Sequence, residues 1–157
     1  MAELSRWGNE HPDRLGGIWW TYTTEPEGGV RMCLGVVDDP AAVAAQVRPA
    51  LAHPEHLDVI EQRNTLQELQ RLADLILEDQ ITSWEALLRS GRYASEQEFW
   101  RSVSEGPLIM GADVDPEANK VAVGIVPRDS AFAAALLDRY GADRVHVFWD
   151  TLATAWV

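Results

Sequence analysis

Two stretches of this 157-residue chain carry the same punctuation, and that repetition limits the available folds more than any other feature. Residues 119–150 (NKVAVGIVPRDSAFAAALLDRYGADRVHVFWD) read as a strand, a short turn, an amphipathic helix, a glycine turn and a second strand. Residues 29–61 read the same way. Gly35 falls on Gly124, with Leu34 on Val123 and Val36 on Ile125. Val43 then meets Phe132, and Val47 meets Leu136. One extra residue in the first copy brings Leu57 and Val59 onto Val145 and Val147. A further strand precedes each copy, so each unit is β-β-α-β. A three-stranded sheet cannot cover both its own faces. The expected architecture is therefore α+β: two pseudo-repeated β-β-α-β units, with antiparallel-rich sheets and packed helices, joined by a helical segment.

The elements follow from local chemistry. Residues 1–16 are polar, with Gly8, Asn9, Pro12 and Asp13, and read as an N-terminal arm or loop with Trp7 as its anchor. The first unit spans 17–62. Ile18-Trp19-Trp20-Thr21-Tyr22-Thr23 is β-branched or aromatic throughout, and Val30, Met32, Leu34 and Val36 alternate after the turn Glu25-Pro26-Glu27-Gly28-Gly29, which predicts a hairpin. Asp39-Pro40 starts a helix over 41–51 with Val43, Val47 and Leu51 on one stripe, and Pro49 distorts its last turn. The connector 63–106 reads as three helices, each opened by a capping box at Thr65, Thr82 and Ser95, with Trp84, Leu88, Phe99 and Trp100 packing. The second unit spans 107–150, its helix stopped by Gly141. An apolar tail, 151–157, closes the chain.

Composition narrows the function classes. Asp and Glu number 25 against 13 Lys and Arg, a net charge of −12. A field of that sign repels phosphate backbones and anionic lipid, which disfavours nucleic acid or a membrane as partner; it either serves only to keep the protein soluble or favours a basic protein partner. The single Cys33 excludes an internal disulfide. The N-terminus has no apolar signal region and no stretch approaches a spanning helix, so the expected location is cytoplasmic.

The residues 11–19 (HPDRLGGIW) and 115–124 (DPEANKVAVG) carry a resemblance. The chain resembles small uncharacterised proteins of high-GC Gram-positive bacteria that pair an aromatic-flanked Gly-Gly strand with a later "D-x-x-x-N-x-V-x-V-G". Its β-β-α-β units are also similar to the prodomains of streptogrisin-like and α-lytic-like secreted serine proteases. The resemblance covers roughly residues 11–78 and 109–149, and residues 79–105 have no counterpart in it. It implies a role as a folding chaperone or inhibitor, with the C-terminal tail (here Ala155, Trp156 and Val157) entering a partner's site.

Candidate chemistry is sparse. His53-Pro54-Glu55-His56 places two histidines three apart with a proline between them, whereas the helical zinc motif needs them four apart, so a solvated loop is expected there. Asp113-x-Asp115-x-Glu117-x-Asn119 copies calcium-loop spacing but lacks the bend glycine and the twelfth-position glutamate, so a hairpin turn is expected. Cys33 sits in a strand as a buried thiol, with His146 its one conceivable base. No phosphate loop, dinucleotide fingerprint or serine elbow is present. The reading therefore contains no catalytic residue, no metal and no cofactor.

Seven tryptophans remain to be explained. Trp19 and Trp20 are consecutive in a strand and point to opposite faces. One enters the core; the other is either covered by the middle helices or exposed as an anchor of the kind that dominates protein interfaces. The expected function is a non-enzymatic protein-binding module, of inhibitor, immunity or chaperone-like kind. Its contacts would be Trp19, Trp20, Tyr22, Trp149, Trp156 and Val157, and its partner a basic protein or a second copy in a homodimer. The alternative is a small-molecule-binding protein or minor enzyme with a Trp/Tyr-lined pocket between the two units.

Overall fold

A computed structural model describes residues 2–23, 29–89, 107–126 and 128–149. The fold is α+β, with two three-stranded sheets. The described residues fall into two compact units: the first from residues up to 69 together with 115–120, the second from 70–114 and from 121 onward. No helix among the described residues is long and apolar enough to cross a membrane.

The first unit opens on helix α1 (Ala2–Glu10), where the sequence reads as a loose arm. The turn-forming Gly8 and Asn9 are outweighed by burial. Leu4 and Trp7, one turn apart, enter the core, and Gly8 lets the helix close on Leu15, whose Cδ2 would lie 2.8 Å from an added Cβ. Trp7 Nε1 donates to Gln46 Oε1 at 3.2 Å, His11 stacks on its ring at 4.8 Å, and the Arg14 guanidinium lies 5.8 Å from the ring centre. The predicted hairpin is β1 (Leu15–Thr23) paired antiparallel with β2 (Gly29–Val36). Asp39 caps α2 (Pro40–Val47) by accepting from Ala41 N at 2.9 Å and Ala42 N at 3.3 Å. Pro49 turns the expected last helical turn into a separate 3-10 turn, Arg48–Ala50. A second 3-10 turn, Pro54–His56, leads into β3 (Leu57–Glu61).

The strand order is β1-β2-β3, and β3 runs parallel to β2 because the α2 crossover returns the chain to the starting end of the sheet. Leu4, Trp7, Met32, Leu34, Val36, Val43, Val47 and Leu57 form the core, with Leu15, Ile18, Leu51 and Val59 packed against it.

The segment 115–120 completes this unit from far along the chain. Asn119, buried and at φ 53°, accepts through Oδ1 from the main-chain N–H of Arg63 (3.0 Å) and Asn64 (2.8 Å). Its Nδ2 donates to Asn64 O at 2.9 Å and to Gln62 Oε1 at 3.3 Å. Gln62 lies over Gly16 and Gly35 and donates to Pro116 O at 2.5 Å, while Pro116 rests on Gly17. Glycines at 16, 17 and 35 leave the room for this contact.

The second unit begins within α3 (Leu66–Arg89), whose Thr65–Glu68 capping box forms as expected. The box at Thr82 opens no new helix, because α3 runs through it: residues already inside a helix have their N–H groups bonded and need no cap. The expected helix after Ser95, with Phe99 and Trp100, lies outside the described residues. Strands β4 (Leu108–Asp115), β5 (Lys120–Val126) and β6 (Val145–Trp149) are ordered β4-β5-β6, with β6 parallel to β5. Asp129 caps α4 (Ser130–Tyr140) at Ala131 N (2.8 Å) and Phe132 N (2.9 Å), and Gly141 at φ 94° ends it. Among the described residues of this unit, Leu72, Ala73, Ile76, Ile109, Val121, Val123, Ile125, Leu136, Tyr140 and Val145 are buried and apolar. The central strands have matching registers: Met32 and Leu34 face Leu57 and Val59, as Val121 and Val123 face Val145 and Val147.

Candidate functional site

The period of two in β1 sorts its side chains. Gly17, Trp19 and Thr21 share one face with Arg31, Cys33 and Gly35; Ile18, Trp20 and Tyr22 share the other with Val30, Met32, Leu34 and Val36. The second face is the core face, but α1 and α2 cover only part of it. Along β2, Val36 and Leu34 are fully buried, Met32 nearly so, and Val30 is 44% exposed. Along β1, Ile18 packs on the core, Trp20 is 47% exposed and Tyr22 79% exposed. Tyr22 pairs directly with Val30, and Trp20 with Met32. The core thus emerges onto the surface as one strip at the end of the hairpin where β1 leads over to β2. Two aromatics exposed to this degree, with Val30, present on the order of 300 Å² of apolar surface, the size of the largest patch on a typical monomer. β1 is also an edge strand of its sheet.

The opposite face is committed to structure. Trp19 is half-buried. Arg31 grips Asp58 with two hydrogen bonds of 2.5 Å, and that pairing holds the Asp58 carboxyl below the usual carboxylate range. Burial pushes the Cys33 thiol up, with Asp58 and Glu117 adding to it, which is the opposite of an activated nucleophile. In the second unit, Trp149 shares a face with Ile125 and carries the Arg128 guanidinium 5.1 Å from its ring centre, whereas its neighbour Phe148 is exposed. Tyr140 donates to Asp79 at 2.6 Å, and Asp79 also accepts from Arg139. Trp156 and Val157, with the tail 151–157, lie outside the described residues.

Of the predicted contact residues, then, Trp20 and Tyr22 share one exposed face of the first unit, Trp19 points away from them, and Trp149 belongs to the second unit. Val30 completes the strip. Its only signal in sequence is its place opposite Tyr22 once the hairpin register is fixed.

The calcium-like spacing is spent on a turn. Asp115 accepts from Glu117 N (3.1 Å) and Ala118 N (3.0 Å), Asp113 accepts from Val114 N, and Asn119 is turned onto residues 62–64. Among the described residues, one group brings three metal-ligating atoms together: His53, Glu55 and His56. Compared with models of protein families and with curated proteins, the chain matches none.

Proposed function

We propose that this chain is a non-enzymatic protein-binding module, of inhibitor, immunity or chaperone-like kind, and that Trp20, Tyr22 and Val30 form the centre of its contact surface. The observation that carries this is the strip itself: an apolar face continuous with the core and left uncovered at the end of an edge strand. Rigid aromatics that are already ordered lose little entropy on binding, which is why they concentrate interface energy. The net charge of −12 favours a basic partner. Three of the side chains that chemistry could use are engaged in the structure: Asp58 by Arg31, Asp79 by Tyr140 and Arg139, and Cys33 by burial that keeps it a thiol.

The test is affinity capture from the native lysate with the full chain, the double variant Trp20→Ala/Tyr22→Ala, and a chain lacking residues 151–157. A stoichiometric basic protein should be recovered by the full chain and lost from the double variant. Two interface anchors at about 2 kcal/mol each would weaken binding by roughly a thousandfold. Equal recovery by the full chain and the double variant sinks the strip as the contact surface. Loss only on removal of 151–157 moves the contact to the tail.

A further inference from the structure

We propose that His53, Glu55 and His56 form a surface binding site for zinc or a similar borderline divalent cation. In an α-helix, histidines three apart diverge by some sixty degrees, and the sequence spacing therefore argues against a metal. The segment is not α-helical. It is a 3-10 turn, with His53 as the residue before it and Pro54 and His56 its first and last members. This turn brings the two imidazoles together, with ring centres 5.9 Å apart and edge to face. The proline that seems to intrude instead fixes the first φ of the turn.

The ligand atoms are already near their places. His53 Nδ1 lies 3.2 Å from Glu55 Oε1, and His56 Nε2 lies 3.6 Å from the same oxygen. Four-coordinate zinc with bonds near 2.0–2.1 Å sets its ligand atoms about 3.3 Å apart. Two of the three edges therefore match, and all three atoms lie within 4.8 Å of one another. The remaining edge closes by rotation of these exposed side chains, with the ion taking the place of the hydrogen bond between His53 Nδ1 and Glu55 Oε1. The backbone beneath them is fixed: His56 N–H donates to His53 O at 3.2 Å, Leu57 N–H donates to Pro54 O, and Leu57 is buried in the core with its carbonyl accepting from Arg48 at 3.3 Å. Two imidazole nitrogens and one carboxylate are the donor set that selects zinc, copper, nickel or cobalt over calcium and magnesium. Three protein ligands leave further coordination positions open to solvent.

Calorimetric titration of the untagged full chain with Zn²⁺ tests the assignment. One ion per chain is expected. His53→Ala and His56→Ala should each weaken binding by at least about tenfold, as losing even an outer partner of a ligand does, while His146→Ala changes nothing. These side chains are exposed, so the variants keep the far-ultraviolet dichroism of the parent. Co²⁺ should give the visible absorption of a nitrogen-ligated four-coordinate ion, lost in His53→Ala. Absence of binding to the parent chain overturns the site, and so does binding that survives His53→Ala unchanged.

Discussion

Replacing Asn119 with alanine should destabilise the first unit by about 4 kcal/mol, from two separable sources. The carboxamide satisfies three main-chain groups of the 62–64 segment: the N–H groups of Arg63 and Asn64 and the carbonyl of Asn64. Each such bond contributes about 1 kcal/mol net, so roughly 3 kcal/mol is lost with the side chain. The residue also sits at φ 53°, where asparagine is tolerated and alanine is not, which adds roughly 1 kcal/mol. Asn119→Gly keeps the conformation and loses the bonds, so it should recover roughly 1 kcal/mol of the total. Urea denaturation of parent and variants, followed by tryptophan fluorescence, measures both, and the slope against urea should stay constant if only stability has changed. A loss below about 1 kcal/mol in Asn119→Ala refutes the hydrogen-bond argument. A glycine variant as unstable as the alanine one refutes the backbone argument.

Three other outcomes follow from packing and titration. Leu4→Ala should cost about 3 kcal/mol in the same assay, because Leu4 is fully buried among Met32, Leu34 and Val43; a loss under about 1 kcal/mol would mean α1 is not part of the core. Gly17→Ala places a Cβ 2.7 Å from the rigid Pro116 ring and should cost about 1–3 kcal/mol, whereas Gly111→Ala, with nothing within 4 Å, should stay within about 0.5 kcal/mol of the parent. Burial, then the hydrogen bond to Asp79, push the Tyr140 phenol up to about 12. Its folded value exceeds the unfolded one of about 10, so the protonated phenol stabilises fully below about pH 10 and loses that effect as pH rises through about 12. Absorbance titration should show a late-ionising tyrosine that disappears in Tyr140→Phe; unchanged titration in that variant contradicts the assignment.

What was legible in the sequence is what local chemistry decides. Alternation and β-branching placed the hairpin of β1 and β2, Asp39-Pro40 and Asp129 marked helix starts, and Gly141 a helix end. The errors have the opposite character. Helix α1 offers only Leu4 and Trp7 as an apolar signal, and its helicity comes from a core assembled by distant residues. Thr82 has the side chains of a cap, yet the preceding residues were already helical. The parity of β1 separated Trp19 from Trp20 but could not say which is exposed, because that depends on how far α1 and α2 reach across the sheet. The partners of Asn119 lie across more than fifty intervening residues, with no local trace.

That last connection also fixes an order of events at the ribosome. Residues up to 69 carry α1, α2 and the sheet β1-β2-β3, but the last piece of the first unit, 115–120, emerges only after 70–114 have been made. Until then the main-chain N–H groups of Arg63 and Asn64 lack their carboxamide partner, and Gly17 lies without the Pro116 ring that covers it. The nascent first unit therefore waits, partly finished, for a six-residue clasp, and a chain interrupted before residue 120 would leave it open to proteolysis rather than simply shorter.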